Sequence, residues 1–219
     1  MLKDKFNLTK EENIFLAKKR IVENIYHSAK LEGCNVTFPD TQTILGGVSV
    51  AGVKINDVEC ILNLRNAWKF LLSNIDAEFN LDFACKINYY VAMQESLEWG
   101  KLRTGEIGIT GVDFKPKIPV KNEVVEEMNN ILKINCITER ALIYFLWSAR
   151  SQLFWDGNKR TSTLCANKIL IPHGKGIFSI RDNDLEEFNR RLTEFYNSNN
   201  YNVILDFLYN NCVLGIVYN

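Results

Sequence analysis

The segment Asp156-Gly157-Asn158-Lys159-Arg160 places a carboxylate, a glycine, an amide and two cations at five consecutive positions. Apolar segments with helical spacing lie on both sides, so we predict that a helix begins at about Asn158. The first backbone N–H groups of a helix have no intrahelical partner, and with the helix dipole they favour an anion such as phosphate. Lys159 and Arg160 add full positive charge, and an arginine can bind phosphate oxygens through two parallel hydrogen bonds.

Asp156 adds a second capability to this anion site. A carboxylate beside bound phosphates is the usual protein ligand of Mg²⁺. The segment therefore predicts a Mg²⁺–diphosphate site, which a nucleoside di- or triphosphate would occupy. A structural interpretation exists for each residue alone, because Asp-Gly-Asn is an ordinary turn sequence, Asp156 can act as an N-cap and the cations can face solvent. All five residues in order favour the binding site.

The longer segment QLFWDGNKR, residues 152–160, resembles the signature H-x-F-x-(D/E)-G-N-(G/K)-R of the Fic (filamentation induced by cAMP), or Fido-domain, family. The match includes Phe154 and residues 156–160. It fails at the first position, where Gln152 replaces the family histidine. Residues 100–116, GKLRTGEIGITGVDFKP, look like the flap region of the family, and residues 167–184 look like the segment after the signature helix.

The resemblance implies a mainly α fold, a Fic/Fido-type helical bundle with a small β-hairpin flap. It implies similarity to ATP-dependent protein adenylyltransferases, which transfer AMP to a Ser, Thr or Tyr hydroxyl of a target protein. ATP would be the co-substrate, and Mg²⁺ would be held by Asp156. Phe154 would pack within the signature. The phosphates would be bound by Gly157, Asn158, Lys159 and Arg160.

The flap is implied to pair with an extended piece of the target protein, as an added β-strand. The residues assigned to it are Gly105, Glu106, Ile107, Gly108, Ile109 and Thr110. The related death-on-curing (Doc) toxins, which the segment NKRT resembles, transfer the γ-phosphate instead. A Doc-like phosphotransferase is therefore an alternative.

Gln152 takes the position at which the family histidine acts as general base. A neutral imidazole accepts a proton near physiological pH, whereas a carboxamide does not. Loss of a general base costs about 10²–10⁴ in rate, so we expect an impaired or inactive transferase. A non-catalytic regulator that binds nucleotide or protein, a pseudoenzyme, is the other interpretation.

Neither of the two histidines is expected to replace this base. His173 lies near the far end of the signature helix, roughly 20 Å from its start at 1.5 Å per residue, where it can interact with the helix dipole. For His27 an ordinary packed or surface position on its helix is favoured over an approach to the site.

The segment SAKLEG resembles the inhibitory motif (S/T)-x-x-x-E-(G/N) of the family through Ser28, Glu32 and Gly33. The resemblance implies that this helix packs on the nucleotide site, where Glu32 obstructs productive ATP binding. Many self-inhibited members place a second arginine at the position of Thr163. Without it, Glu32 would have to pair with Lys159 or Arg160, or would not pair at all.

Helical periodicity dominates the chain, and the alternating segment EIGITGVDF, residues 106–114, predicts a short β-hairpin. Thr9 and Glu12 predict a capping box for the first helix, and Asn56 with Glu59 predicts the start of another. Residues 1–57 would form an N-terminal helix and an irregular connection packed on a core of residues 58–219. The predicted helices cover about 10–31, 56–75, 82–98, 120–132, 138–151, 158–171, 183–198 and 201–213.

Composition limits the remaining functions. Lys+Arg and Asp+Glu number 26 each, so the basic excess of a nucleic-acid binder is absent. The six cysteines have no close spacing, and reduced, mostly buried thiols are expected. The chain lacks a run of signal-peptide or membrane-span length, so we expect a soluble cytoplasmic protein of bacterial origin. A target protein is the expected partner, and homo-oligomer formation stays open.

Overall fold

The computed structural model describes residues 2–96 and 98–217, and helices dominate them. The mainly α prediction is therefore confirmed. The helices are α1 (Lys10–Lys19), α2 (Ile21–Leu31), α3 (Phe38–Leu45), α4 (Ile55–Ser73), α5 (Leu81–Val91), α6 (Lys121–Leu132), α7 (Ile137–Ser151), α8 (Asn158–Leu170), α9 (Leu185–Ser198) and α10 (Leu205–Phe207). Short 3₁₀ turns occur at Ile171–His173, Asp182–Asp184 and Tyr201–Val203, and a π-type turn at Leu208–Cys212. Two strands, β1 (Ile177–Phe178) and β2 (Val213–Leu214), pair antiparallel.

Helix α8 is the centre of the fold. It packs against α7, α5, α4 and α2, and every residue of α8 other than Lys159 is buried. Its many polar side chains are tolerated there because they have internal partners. Ser162 Oγ donates to the Asn158 carbonyl at 2.7 Å, and Lys168 Nζ donates to the carbonyls of Asn74, Ile75 and Ala77 near the end of α4. A buried and satisfied central helix holds its N-terminus in one position.

The N-terminal part contains more elements than predicted. The predicted helix 10–31 is broken at Arg20, whose backbone (φ −99°, ψ 14°) is not helical. The connection predicted as irregular contains α3, which begins with a capping box formed by Thr37 and Asp40. Helix α4 starts one residue before Asn56, after Lys54, without a side-chain cap.

Helix α5 is shorter than the predicted helix 82–98. It ends at Val91, and residues 92–96 form turns that include Gln94 with φ 65°. Leu97, which the predicted helix includes, lies outside the described residues. The last predicted helix, 201–213, is likewise broken into short turns and ends as β2, because its last residues pair with β1.

The predicted β-hairpin of the flap is not formed as a strand ladder. Residues 104–113 form neither helix nor strand, and they contain a turn in which the Val112 N–H donates to the Ile109 carbonyl at 3.2 Å. The side-chain oxygen of Asn197 accepts from the Asp113 and Phe114 amides. An isolated two-stranded ribbon has marginal stability, and here side-chain contacts to the helices replace cross-strand hydrogen bonds. Among the described residues, the strand pair of the fold is β1–β2.

Within the described part of the chain, none of the helices has both the length and the apolar character needed to cross a membrane.

Candidate functional site

The loop between α7 and α8 turns the chain through two left-handed residues. Gln152 ends α7 with φ 47° and ψ 59°, and Gly157 precedes α8 with φ 69°. A Cβ added at Gly157 would lie 2.7 Å from Val91 Cγ1, so both the backbone angle and the space require glycine. The turn directs the side chain of Asp156 toward the start of α8, where it accepts from the Gly157 amide.

The side chain of Asn158 stabilises the loop through hydrogen bonds to its backbone. Its Oδ1 accepts from the Phe154 amide at 2.9 Å, and its Nδ2 donates to the Phe154 carbonyl at 2.8 Å. Phe154 itself is buried, so the apolar ring and the amide side chain fix the two ends of the loop. The side chain of Asn158 therefore has a structural use, and its backbone N–H is among those left without an intrahelical partner at the start of α8.

Asn88 of α5 ties this loop to its surroundings, and the sequence interpretation missed it. Its Nδ2 donates to the Asp156 carbonyl at 2.9 Å and to Thr161 Oγ1 at 3.2 Å, while its Oδ1 accepts from the Gly100 amide at 2.8 Å. The side chain is fully buried. The sequence does contain a signal for this role. Asn88 directly follows Ile87 on the apolar face of α5, and a buried side-chain amide needs hydrogen-bond partners.

We expect Asn88→Ala to lower the free energy of unfolding by about 2–3 kcal/mol, because it leaves buried partners of the loop without hydrogen bonds. Urea denaturation followed by circular dichroism measures the change. Asn129→Ala, at an exposed position of α6, is the control and should change the same free energy by less than about 0.5 kcal/mol. Equal effects of the two variants would contradict the assigned role.

Gln152 lines a cleft together with residues of the flap. The cleft has a volume of about 440 Å³ and is lined by Gly108, Ile109, Thr110, Val112, Gln152, Lys159, Asn189, Leu192, Thr193 and Tyr196. The Gln152 Nε2 donates to the Ala149 carbonyl at 2.7 Å, and its Oε1 accepts from Asn158 Nδ2 at 3.1 Å. Burial raises the pKa of the neighbouring Tyr196 hydroxyl, so this group is no substitute base.

Arg103 fixes the flap to this cleft and is a second residue whose role was missed. Its guanidinium donates to the Gln152 carbonyl at 2.6 Å, the Gly105 carbonyl at 2.5 Å and the Pro116 and Lys117 carbonyls. The side chain is 1% exposed. One buried cation thus joins the end of α7 to both ends of the flap.

Arg160 is held by carboxylates on the opposite side of the loop. Its side chain is 2% exposed, its Nη2 lies 2.7 Å from Glu95 Oε2, and its Nε lies 3.5 Å from Glu32 Oε2. Asp156 Oδ1 is also near, at 3.4 Å from Nη2. Burial alone would lower the pKa of Arg160, but Glu32, Cys60 and Glu95 outweigh it and raise this pKa above its ordinary value. The guanidinium is charged and already neutralised by protein groups.

The residues of the inhibitory motif meet the start of α8. Lys159 Nζ donates at 3.0 Å to the carbonyl of Leu31, the last residue of α2, and Glu32 caps that helix. Gly33, with φ 85°, turns the chain away, and Ser28 is buried. Of the alternatives for Glu32, the structure shows an ion pair with Arg160.

Thr163 and the two histidines take no part in this arrangement. Thr163 Oγ1 donates to the Lys159 carbonyl at 2.9 Å, inside the helix. His27 Nδ1 lies 3.1 Å from Ser179 Oγ, and burial lowers the pKa of its ring. His173 Nδ1 lies 2.9 Å from the Ile169 carbonyl, at the C-terminal end of α8 as expected.

Asp156 fits a Mg²⁺ ion only together with a ligand that supplies phosphate oxygens. Within residues 2–96 and 98–217, no three His, Cys, Asp or Glu side chains form a site that could hold a metal by themselves. The Asp156 side chain is 46% exposed and borders a cleft of about 450 Å³. Mg²⁺ is commonly bound by one or two carboxylates plus phosphates and water, so this carboxylate suits the predicted ion.

Residues 78–170, which include α5 to α8 and the loop, match the model of the Fic/DOC family. The chain contains a Fic domain. Among curated proteins, no sequence matches this chain. The residues Ser28, Glu32 and Gly33 lie outside the matched range, although Glu32 contacts Arg160 within it.

Solved structures of other Fic proteins share the fold. The chain is similar to a fragment of Fic-1 from C. elegans, with a TM-score of 0.76 and 21% identity over 89% of this chain and 60% of that one. A Fic domain containing signaling protein from Bacteroides thetaiotaomicron aligns with a TM-score of 0.73 and 21% identity, over 92% of this chain and 85% of the other. A Fic family protein from Desulfovibrio desulfuricans aligns with a TM-score of 0.61 and 14% identity, over 85% of this chain and 57% of the other.

These likenesses establish the fold and extend beyond the matched Fic domain. This chain spans 60% of the length of the C. elegans fragment, so that fragment contains regions with no counterpart here.

Proposed function

We propose that this chain is a Fic-type nucleotidyltransferase that resembles the ATP-dependent protein adenylyltransferases and whose AMP transfer is impaired. One observation carries the proposal. The N-terminus of α8 combines a left-handed glycine, an exposed carboxylate and two cations, while Gln152 lies at the opposite end of the same loop. These groups at the start of α8 would bind phosphate, and an amide takes the position proposed for the proton acceptor.

In the proposed reaction, the backbone N–H groups at the start of α8 bind the phosphates of ATP. Lys159 and Arg160 neutralise phosphate charge, once they have left their present partners. Asp156 would hold the Mg²⁺ ion, which supplies further charge neutralisation when bound. The backbone of Gly105–Thr110 would pair with a segment of the target protein that presents a hydroxyl side chain.

Gln152 would orient that hydroxyl without removing its proton. The Oε1 atom accepts one hydrogen bond from Asn158, and a carbonyl oxygen can accept a second. A carboxamide has no protonated form near neutral pH, so the proton must leave to solvent. The expected rate deficit is therefore about 10²–10⁴ relative to a histidine at this position.

Glu32 would inhibit nucleotide binding by occupying Arg160. The two side chains are 3.5 Å apart, and Arg160 also contacts Glu95. A phosphate that approaches Arg160 meets a cation that is already paired. The cleft at this point also contains the carboxylates of Asp57 and Glu59, and like charge repels a polyphosphate.

Labelled ATP tests the proposal. The wild-type chain and Glu32→Gly would be incubated with a lysate and with ATP labelled at either the α- or the γ-phosphate. Label from the α-position on protein supports AMP transfer, whereas label from the γ-position alone supports the Doc-like phosphotransferase. Absence of both labels, in Glu32→Gly as well, contradicts an enzymatic function.

A non-catalytic regulator is the second candidate, and the geometry of Gln152 favours it. Both ends of its carboxamide are occupied by Ala149 and Asn158, so the amide is part of the loop structure. Calorimetry with Mg-ATP and Mg-ADP distinguishes the two candidates. Tight binding without transfer of either label supports the regulator.

We expect Glu32→Gln to increase the affinity for Mg-ATP about 10-fold, which corresponds to about 1.4 kcal/mol, because the neutral amide competes less for Arg160. Calorimetry measures the dissociation constant. Glu59→Gln is the matched control, since it removes the same charge from the same cleft at an exposed position. Equal gains in both variants would show a general charge effect and contradict a specific inhibitory contact.

A further inference from the structure

Two cysteines that are distant in sequence lie beside each other at the edge of the site. Cys34 follows Glu32 and Gly33, and its amide donates to the Ala29 carbonyl of α2 at 3.1 Å. Cys60 belongs to α4. Both are buried, and both line the cleft of about 450 Å³ that also contains Asp156 and Arg160. The cleft gives a small oxidant a path to them.

The contacts of these two thiols differ from those of the other cysteines. Cys60 Sγ lies 3.4 Å from Arg160 Nη1. The interaction between the thiols lowers the pKa of Cys34 and raises that of Cys60, and Arg160 favours the thiolate of each. Burial raises the pKa of the other four, Cys85, Cys136, Cys165 and Cys212. A thiolate-prone cysteine beside a second thiol is the usual arrangement of a redox-responsive pair.

We propose that Cys34 and Cys60 are a redox-responsive pair that forms a reversible disulfide when a peroxide enters the cleft. The Cys34 thiolate attacks one peroxide oxygen, the O–O bond breaks, and Cys34 becomes a sulfenic acid with release of hydroxide. The Cys60 thiol then loses its proton as its sulfur attacks the Cys34 sulfur and displaces a second hydroxide. The two thiol protons neutralise both hydroxides, so two thiols and one hydrogen peroxide give one disulfide and two waters.

The bond would join the end of α2 to α4. Glu32 is separated from Cys34 by one residue, so the backbone that places Glu32 beside Arg160 belongs to the same short segment as Cys34. A disulfide to α4 would restrain that backbone. Oxidation therefore favours the ion pair between Glu32 and Arg160, and a thiol reductant removes this restraint. This second step depends on the function proposed for Glu32, whereas formation of the disulfide does not.

Mass spectrometry of the full chain tests the disulfide. After treatment with hydrogen peroxide we expect a mass loss of about 2 Da that dithiothreitol reverses, and a tryptic peptide in which Cys34 is linked to Cys60. Cys34→Ser and Cys60→Ser should abolish the loss. Cys85→Ser, the control, should retain it. Absence of the linked peptide, or a linkage through another pair, overturns the proposal.

Hydrogen exchange tests, without nucleotide, whether the disulfide restrains the segment that carries Glu32 and Cys34. The amides of residues 29–34 should exchange at least about 10-fold more slowly in the oxidised chain than in the reduced chain. Equal exchange rates in the oxidised and reduced chains would contradict this restraint. Mg-ATP binding to reduced Glu32→Gln tests the proposed function separately, because neither the mass change nor the exchange rates depend on it.

Discussion

We expect Gln152→His, in a Glu32→Gly background, to increase AMP transfer by about 10²–10⁴-fold. The substitution restores a group that accepts a proton near neutral pH at the position that follows α7. The left-handed backbone of Gln152 (φ 47°, ψ 59°) is a conformation that histidine adopts more readily than most residues. The Glu32→Gly change removes the carboxylate that pairs with Arg160, so that inhibition does not mask the increase in the rate of AMP transfer.

The rate of label transfer from α-labelled ATP measures this effect. Gln152→Asn is the matched control, because asparagine tolerates the same backbone but has no basic nitrogen, and it should give no gain. Asp156→Ala added to the active combination should remove the activity. A Gln152→His chain that binds Mg-ATP and still transfers no label would contradict a latent transferase and favour the non-catalytic regulator.

We expect Arg103→Ala to lower the free energy of unfolding by about 3–5 kcal/mol, the largest loss of stability among the predicted variants. The guanidinium donates to four carbonyls, those of Gln152, Gly105, Pro116 and Lys117. Its removal leaves these acceptors without this donor and empties the space of a side chain that is 1% exposed. Each unpaired buried carbonyl, such as that of Pro116, costs about 1–3 kcal/mol.

Urea denaturation measures this loss, and limited proteolysis of residues 101–117 reports on the flap. Arg103→Lys should restore only part of the stability, because an ammonium group cannot supply the planar set of donors. Arg190→Ala is the control: its side chain is 60% exposed and pairs with Glu187 on the surface, so a change below about 1 kcal/mol is expected. A loss equally small for Arg103→Ala would contradict its assigned role.

Much of the fold followed from local sequence. Helices α6 to α9 lie within a few residues of their predicted bounds, because their apolar spacing and their stop signals act within the helix itself. The predictions were wrong where the outcome depends on distant residues. The flap, for example, alternates like a hairpin, but it is held by Asn197 and Arg103 and forms no ladder.

The sequence by itself determined the loop chemistry of this protein. Five adjacent residues at a helix start predict an anion site from local sequence alone, and the absence of a histidine at position 152 is visible without a structure. The tertiary structure decided which groups oppose that site. Glu32, Glu95 and Cys60 approach Arg160 from three separate segments, and no local pattern encodes such a meeting, because packing of helices against α8 creates it.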